Sequence, residues 1–413
     1  MVLEAREPRA LSTRRIHRLS GLLLTNSLTS VFVDRIRAVV GHQSEPIGLH
    51  VPEIGELEKK YINECLDSTF VSSVGSFIPK LEERMQEITG ARHAVAVSNG
   101  TVGLQVAMFL AGVEPGDEVI IPTLSFIATA NAVSHCGAHI FFVDSEESTL
   151  GMSAESLRAA LAGFTRSGSS LVNPSTGRRI AAIAPMHTLG HPVDIRAIVA
   201  VANEYGVPVV EDAAESLGSF VGSQHTGTFG LTAMISFNGN KIVTTGGGGV
   251  ILTNDEAIGK RAKHITTTAK LAHKWEFEHD EIAWNYRMPN LNAALGMAQL
   301  DKYPRFLEQK RRLADKYAEA FAGVDGLSFV VEPAGTTSNY WLCSIRLDEP
   351  SLALRDELMT AAHEAGLLVR PMWNLLHQQR MYSSASRGDV SVATNLHASL
   401  ICLPSTPALA EAV

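Results

Sequence analysis

The residue of this chain best placed for covalent chemistry is Lys241. It ends the string Ser236-Phe-Asn-Gly-Asn-Lys241, which follows the apolar pair Met234-Ile235 and precedes the glycine run 246–249. Because this lysine lies outside any amphipathic helix, a solvated surface charge explains it poorly. An amine held after a buried strand can instead bond to a carbonyl carbon and move protons. The glycines lack the G-x-x-x-x-G-K-[ST] order, so a nucleotide-binding P-loop is rejected.

An acidic residue follows another apolar stretch upstream of the lysine. Asp212 lies in Glu211-Asp-Ala-Ala-Glu-Ser216, directly after the apolar run 207–210. Taken alone, an Asp at the end of a strand can cap a helix or bind a metal. In an enzyme that uses pyridoxal 5′-phosphate (PLP), a carboxylate here would pair with the protonated pyridine nitrogen. That pairing keeps the ring cationic and strengthens it as an electron sink.

A third candidate is an anion site. The string Ser98-Asn-Gly-Thr101 follows an apolar stretch and opens a predicted helix. Backbone N–H groups at a helix start, together with the Thr101 hydroxyl, can bind a phosphate. A plain helix N-cap is the alternative, and the string alone favours that simpler interpretation.

The predicted strands and helices that must position these groups alternate regularly from about residue 90. Apolar stretches predict strands at 93–97, 118–121, 140–143, 180–183 and 207–211, with helical segments such as 100–111 and 126–136 between them. Near-continuous apolar strands alternating with helices indicate a parallel sheet covered on both faces. Ligands bind such sheets at the carboxyl ends of the strands, where all three candidate groups are predicted to lie.

Three segments are predicted along the chain. Residues 1–48 form an N-terminal extension with one amphipathic helix near 31–40, residues 49–300 a large domain, and residues 301–413 a small α+β domain. A long charged helix over 290–321 would cross between the two domains. Residues 1–25 lack a periodic apolar face, so their removal should leave folding and activity nearly unchanged.

The composition excludes several classes of protein. The net charge of −8 and the pI near 6.0 argue against binding to nucleic acid. No apolar stretch reaches membrane-spanning length, and the run Leu22-Leu-Leu24 ends at Thr25, too short for a signal sequence. The 4 cysteines form no CxxC pair, which indicates free thiols in a reducing cytoplasm. His279 and Asp280 lack a third ligand at a suitable spacing, so no metal is assigned.

Together these strings resemble the DegT/StrS-like sugar aminotransferases of PLP fold type I. The resemblance extends from about residue 47 to the C-terminus. The string ending at Lys241, followed by Thr-Thr and glycines, is most similar to the branch that acts on UDP-linked N-acetylated 4-keto-6-deoxy sugars. The supporting strings are Val97-Ser-Asn-Gly-Thr101, Pro122-Thr-Leu-Ser-Phe-Ile-Ala-Thr-Ala-Asn131 and Trp284-Asn-Tyr-Arg-Met-Pro-Asn290.

The resemblance implies an α/β fold, with a large three-layer domain around a mainly parallel sheet and a small α+β C-terminal domain. Lys241 would hold PLP covalently and, once released, move the proton between substrate and cofactor. Asp212 would bind the pyridine nitrogen. Glu215 would lie near the ring hydroxyl, where many relatives carry Gln.

Further contacts to the cofactor are implied by the same resemblance. Phe126 would stack on the ring, and Gly100, Thr101 and Ser236 would hold the phosphate. Asn285 would reach that phosphate from a neighbouring subunit, which implies a homodimer with a shared active site. From residue type alone, Phe126 is more often a core residue and Asn285 a turn residue. His187, which follows a predicted strand, is at least as readily a structural histidine.

The predicted function is amino transfer from glutamate to C4 of a nucleotide-linked 4-keto-6-deoxy sugar, with a UDP-linked N-acetylated hexose as the favoured substrate. One alternative is a GDP-linked sugar aminotransferase that makes perosamine. PLP-dependent sugar dehydratases, a second alternative, carry histidine in place of the lysine, so Lys241 speaks against them. A non-catalytic regulatory protein of this fold would be expected to lose Lys241 or Asp212, and both are present.

Overall fold

The computed structural model describes residues 28–412 of the chain. Helix α1 spans residues 28–40. The other α-helices are α2 Glu56–Asp67, α3 Phe77–Thr89, α4 Gly100–Leu110, α5 Ile127–His135, α6 Ala154–Ala162, α7 Ile195–Tyr205, α8 Glu256–Thr266, α9 Asn290–Phe321, α10 Leu352–Glu364 and α11 Ser391–Ser399. The strands are β1 His93–Val97, β2 Glu118–Pro122, β3 His139–Val143, β4 Thr165–Ser167, β5 Ser170–Val172, β6 Ile180–Ile183, β7 Val210–Asp212, β8 Phe220–Val221, β9 Gln224–His225, β10 Thr232–Ser236, β11 Gly249–Thr253, β12 Leu327–Phe329, β13 Thr336–Thr337, β14 Ser344–Leu347, β15 Arg370–Pro371, β16 Ser386–Arg387 and β17 Leu400–Cys402.

The central sheet is mainly parallel, as predicted. One group of strands has the order β16-β3-β2-β6 and is parallel throughout. The other has the order β1-β11-β10-β7, in which β10 and β7 are parallel while β11 runs antiparallel to both of its neighbours. Parallel bridges between Ile183 and Val209 and between Met186 and Asp212 join the two groups. The sheet therefore brings the carboxyl ends of β7, β10 and their parallel neighbours to one edge.

Helices cover both faces of this sheet. In β2, Val119 and Ile121 pack in one buried cluster with Leu104 of α4 and Val133 of α5. The residue between them, Ile120, packs in a second cluster, whose helical members include Leu157 of α6 and Ile195 and Ile198 of α7. Because successive side chains of a strand point to opposite faces, a strand buried on both faces is apolar without alternation. The three-layer arrangement expected from the sequence is confirmed.

A smaller antiparallel sheet, β12-β14-β17-β15, belongs to the C-terminal part of the chain. Helix α1 packs here, because Phe32 and Ile36 share a buried cluster with Tyr317 of α9 and with Leu358 and Leu367. The predicted amphipathic helix near 31–40 is thus confirmed, and it forms part of this core. Position 300, the predicted domain boundary, lies inside α9. The predicted dispensability of residues 1–25 concerns residues outside those that the structure describes.

Some sequence-based boundaries differ from the structure. The strand predicted at 207–211 is β7 at Val210–Asp212, since Pro208 has no N–H with which to join a ladder. In the C-terminal part, Leu367 forms a single parallel bridge to Ile47, and the strand β15 follows it. Within residues 28–412, no helix is both long and apolar enough to cross a membrane.

Candidate active site

A cavity of about 310 Å³ opens where β7 and β10 end and α4 begins. It brings together every predicted cofactor residue except Asn285. Since these residues come from segments far apart in sequence, the sheet is what assembles them. The cavity is lined by Asn99, Gly100, Thr101, Leu104, Phe126, Ala128, Met186, Asp212, Ala214, Glu215, Met234, Ser236, Asn238, Asn240, Lys241, Gly248, Trp341 and Trp373.

Lys241 has two close partners. Its Nζ donates to Glu215 Oε1 at 3.1 Å, and it lies 3.6 Å from the centroid of the Trp341 ring. The side chain of Lys241 is 12% exposed and that of Glu215 is 1% exposed. The Lys241 amine therefore faces the cavity between a carboxylate and an aromatic ring. This environment is typical of a reactive group, whereas a surface charge would be solvated.

Asp212 is buried at the end of β7. Its Oδ2 accepts a hydrogen bond from Thr129 Oγ1 at 2.6 Å, and its Oδ1 accepts one from the Ala214 amide at 3.2 Å. Burial raises the pKa of Asp212 above its ordinary value, against the lowering effect of these hydrogen bonds. Among the described residues no Lys, Arg or His forms a salt bridge with it. A cation placed beside this carboxylate would relieve the cost of its burial.

Glu215 is the second buried acid of the site. Its Oε2 accepts a hydrogen bond from the Leu189 amide at 2.9 Å. Burial raises the pKa of Glu215 to about 7, although the charge of Lys241 acts in the opposite direction. The carboxyl group can therefore gain or lose a proton near neutral pH, next to the amine of Lys241.

Replacing Glu215 with Gln is expected to remove a pH dependence of stability. The folded state favours the protonated acid, so the free energy of unfolding falls as pH rises from the ordinary pKa of 4.5 to about 7. The full loss is at most about 3 kcal/mol, and a Gln at this position does not titrate. Urea unfolding of parent and Glu215→Gln at pH 5 and pH 8, at one protein concentration, measures this. Equal pH dependence in both proteins would contradict the raised pKa.

The helix start at α4 forms the other end of the cavity. Asn99 caps this helix by accepting a hydrogen bond from the Val102 amide at 3.0 Å. The amides of Gly100 and Thr101, in the first turn, have no acceptor within the helix. A Cβ on Gly100 would come within 3.1 Å of Ser236 Oγ, so the glycine permits the close approach of β10. The amides of Gly100 and Thr101 with the Thr101 hydroxyl, called the glycine cradle below, form a suitable site for a phosphate.

Two tryptophans that were not predicted from the sequence, Trp341 and Trp373, complete the cavity beside Phe126. Phe126 is 46% exposed and contacts Trp373 edge to face, with ring centroids 5.9 Å apart. Trp341 lies over Lys241. Both tryptophans come from the C-terminal part of the chain, far in sequence from Lys241. Their position follows from the packing of the two sheets, and no local pattern in the sequence indicates it.

Asn285 lies outside the cavity of its own chain. It is exposed, it bridges to Thr267, and its Oδ1 accepts a hydrogen bond from Arg287 Nε at 2.8 Å. Its predicted action on a neighbouring subunit stays a prediction.

His187 has structural partners. Its Nε2 lies 3.0 Å from Glu211 Oε2, and its Nδ1 accepts a hydrogen bond from the Val193 amide at 3.2 Å. Burial alone would raise the pKa of Glu211, but the His187 contact and the amides of Gly227 and Gly230 lower it overall. This pair ties the end of β7 to the loop that follows β6.

A cluster of histidine and acidic side chains contains Asp280. The ligand atoms of His264, Asp280 and Glu281 lie within 4.8 Å of one another. However, His264 Nε2 contacts Asp280 Oδ1 at 2.7 Å, and Arg261 pairs with Glu281. Because protein groups already satisfy these side chains, the cluster supports no metal site.

The groups of the cavity fit PLP. Lys241 offers the amine for a covalent bond to the cofactor, and the buried carboxylate of Asp212 suits a protonated pyridine nitrogen. Gly100, Thr101 and Ser236 offer hydrogen-bond donors for the phosphate. Phe126, which is half-exposed and lines the cavity, would offer an aromatic face to the pyridine ring.

Comparisons with known proteins agree with this fit. Residues 52–413 match the model of the DegT/DnrJ/EryC1/StrS aminotransferase family. The GDP-perosamine synthase of Escherichia coli O157:H7 is 37% identical over 368 residues, which are 88% of this chain and 94% of that protein. The putative pyridoxal phosphate-dependent aminotransferase EpsN of Bacillus subtilis (strain 168) is 36% identical over 88% of this chain and 92% of its own length.

A solved structure gives the same result for the fold. The aminotransferase TlmJ from Streptoalloteichus hindustanus superposes with a TM-score of 0.78 at 30% identity, covering 87% of this chain and 93% of TlmJ. The family match over residues 52–413 includes every predicted cofactor residue, and the expected fold type I is confirmed. The chain therefore belongs to the DegT/DnrJ/EryC1/StrS aminotransferase family and is a PLP-dependent sugar aminotransferase.

Proposed function

We propose that the enzyme transfers an amino group from glutamate to C4 of a nucleotide-linked 4-keto-6-deoxy sugar. The observation that carries the proposal is the set of groups in the cavity. An amine, two buried carboxyl groups and a glycine cradle meet there, in a chain that belongs to a family of sugar aminotransferases. The product would be a 4-amino-4,6-dideoxy sugar nucleotide of the kind used in surface polysaccharides and glycans.

Lys241 is the group that holds and moves the proton. When bound, PLP supplies an electron sink for the carbon that is attached to the transferred nitrogen. The Lys241 amine would take a proton from that carbon. It would deliver the proton to the cofactor carbon on the other side of the transferred nitrogen. Glu215 Oε1, 3.1 Å from Nζ, can accept or supply a proton because burial places the pKa of Glu215 at about 7.

Asp212 sets the charge of the cavity where β7 ends. Thr129 and the Ala214 amide orient its carboxylate, so that an oxygen is fixed at the end of β7. We propose that this carboxylate keeps the pyridine nitrogen protonated. The glycine cradle at α4, with Ser236, would hold the phosphate, and Phe126 would cover the ring.

Two substrates are candidates, each supported by a different observation. The similarity to a GDP-perosamine synthase favours a GDP-linked sugar, which the enzyme would convert to GDP-perosamine. The string Phe237-Asn-Gly-Asn-Lys241 with the glycines that follow favours a UDP-linked N-acetylated sugar. The comparisons support the GDP-linked sugar more strongly, and this is the first substrate to test.

A substrate panel decides between them. The purified enzyme, glutamate and either GDP-linked 4-keto-6-deoxymannose or UDP-linked 4-keto-6-deoxy-N-acetylglucosamine are mixed in separate reactions. Mass spectrometry and NMR identify the product and the stereochemistry of its new amine. We expect amination at C4 of one sugar with a clearly higher kcat/KM than of the other. Failure to aminate either sugar, with the cofactor bound, would contradict the proposal.

We also propose that two copies of the chain form the working enzyme. Lys241 is the only lysine or arginine among the described residues that line the cavity, although the cofactor phosphate and a sugar nucleotide are both anionic. The segment 270–285 exposes large apolar side chains, with Trp275, Phe277 and Ile282 at 68%, 77% and 101% exposure. Exposed apolar groups of this size are typical of an interface. Asn285 ends this segment and would reach the cofactor phosphate of the partner.

Mixing two inactive variants tests the shared site. We expect Lys241→Ala and Asn285→Asp each to be inactive, the second because its carboxylate would repel the phosphate dianion. In a mixed dimer, one site combines an intact Lys241 with an intact Asn285 from the other chain. That site should recover activity, whereas the other site carries both defects and stays inactive. At most about half of the sites in mixed dimers can therefore be active.

The control for this experiment is exchange between differently tagged parent subunits, followed by native mass spectrometry. If exchange is complete and activity does not return, Asn285 acts within its own chain or has no part in catalysis.

A further inference from the structure

Trp341 contacts both the side chain of Lys241 and the main chain that precedes it. Its ring centroid is 3.6 Å from Lys241 Nζ, and its indole Nε1 donates to the Asn240 carbonyl oxygen at 2.8 Å. The tryptophan is 4% exposed and lines the cavity. A residue of the C-terminal part of the chain thus holds the reactive lysine at two points.

Trp341 is itself fixed by buried polar groups. Its amide donates to Asn339 Oδ1 at 2.7 Å, and its carbonyl oxygen accepts a hydrogen bond from Lys310 Nζ at 2.6 Å. Lys310, fully buried in α9, also donates to the Ser405 carbonyl oxygen at 2.5 Å. The backbone at Trp341 is therefore fixed to α9 and to the segment after β17, which leaves the indole little freedom to move.

A simple core role does not explain this arrangement. A buried tryptophan needs an acceptor for its N–H, and the Asn240 carbonyl supplies one. Packing alone does not require that the ring face should meet an ammonium group in a cavity. An aromatic face within about 6 Å of a lysine cation attracts it. The contact therefore acts on the one amine that the proposed reaction uses.

We propose that Trp341 is a positioning residue for Lys241, which holds the free lysine amine at the cavity between the indole face and Glu215. This inference rests on the proposed function, in which the lysine is alternately bound to the cofactor and free. A lysine has a long flexible stem. A free amine without this support would leave its working position, and the proton transfer would slow.

The proposal is tested on the complete enzyme with Trp341→Leu and Trp341→Phe. Leucine removes the aromatic face and the N–H, whereas phenylalanine keeps a smaller aromatic face and removes the N–H. Each protein, with PLP bound, is first reacted to completion with glutamate in the absence of sugar, so that Lys241 is free. It is then labelled with trace acetic anhydride at one pH, and peptide mass spectrometry measures the labelling rate of Lys241. Asp212 and Glu215, the acids that face this lysine, are the same in all three proteins.

We expect Lys241 to be labelled about fivefold faster in Trp341→Leu than in the parent, because an amine without the indole face leaves its place beside Glu215. Trp341→Phe should stay within about twofold of the parent, since phenylalanine keeps an aromatic face. A purely structural role would lower the stability of the folded protein but leave the labelling rate of Lys241 unchanged. An unchanged labelling rate in Trp341→Leu would overturn the proposal.

Trp341→Phe tests the second contact, the hydrogen bond from the indole to the Asn240 carbonyl oxygen. It also tests the positioning role if Trp341→Leu does not fold. Loss of the hydrogen bond to Asn240 should lower kcat by about tenfold, with the KM for glutamate within about twofold of the parent. A kcat equal to that of the parent would overturn the positioning role. Failure of the proposed function looks different, since the parent cofactor would then be attached to another lysine before glutamate is added.

Discussion

Replacing Lys241 with alanine is expected to abolish transamination and to leave the fold intact. Lys241 would provide both the covalent attachment of the cofactor and the base that moves the proton. General acid–base catalysis alone contributes about 10²–10⁴-fold, so the rate should fall by at least about 10⁴-fold when both roles are lost. The side chain lines an open cavity, and its loss leaves no large void in a core. Thermal unfolding and steady-state assays of both proteins measure the effect.

A matched control is Lys59→Ala. Lys59 is an exposed lysine of α2 paired with Glu56, and its removal should leave activity unchanged. Borohydride treatment of the parent enzyme adds a direct assignment, because it should fix the cofactor to Lys241 and bleach the visible colour. A stoichiometric adduct on a different lysine, or turnover by Lys241→Ala without added amine, would show that the site is assigned wrongly.

The second large effect is expected for Asp212→Asn. Asparagine keeps the shape of the side chain, including an oxygen for the hydrogen bond from Thr129, but loses the negative charge. A neutral amide cannot keep a pyridine nitrogen protonated, so the electron sink is weakened. We expect kcat/KM for glutamate to fall by at least about a hundredfold, the size typical for the loss of one electrostatic group in an active site.

Thr129→Val is an informative companion to this variant. It removes the hydroxyl that donates to Asp212 but leaves the carboxylate in place. A smaller loss is therefore expected than in Asp212→Asn. If Asp212→Asn retains activity close to that of the parent, the carboxylate does not support the electron sink.

Part of the site could be predicted because its residues directly follow apolar stretches in the sequence. A buried strand followed by a polar residue places that residue at the edge of a parallel sheet, and this applies to Asp212, Ser236 and the start of α4. Strands β1 and β6 have the bounds that their apolar patterns predict, and helix α9 has those of the predicted long charged helix. The strand β11 was not predicted, because it begins at Gly249, within the glycine run 246–249. Its antiparallel direction beside β1 depends on pairing between distant segments.

The rest of the site depends on contacts between distant segments. Trp341 and Trp373 reach the cavity only because the C-terminal sheet packs against the large one, and neither has a neighbour in sequence that is part of the site. Thr129 lies three residues after Phe126 in α5, where its hydroxyl meets Asp212 across the sheet edge. A helical pattern predicts which side of α5 is buried, but it does not predict which carboxylate lies opposite.

Helix α9 has a consequence for the melting behaviour of the protein. Its first half contributes Ala293, Leu300 and Phe306 to the core beside the central sheet, and its second half contributes Leu313 and Tyr317 to the core that contains α1. A helix forms cooperatively along its length. Loss of either core would expose apolar surface on the half of α9 that it covers and would fray the half that the other core needs. The two cores should therefore melt in a single calorimetric transition, with the heat of unfolding of both absorbed together.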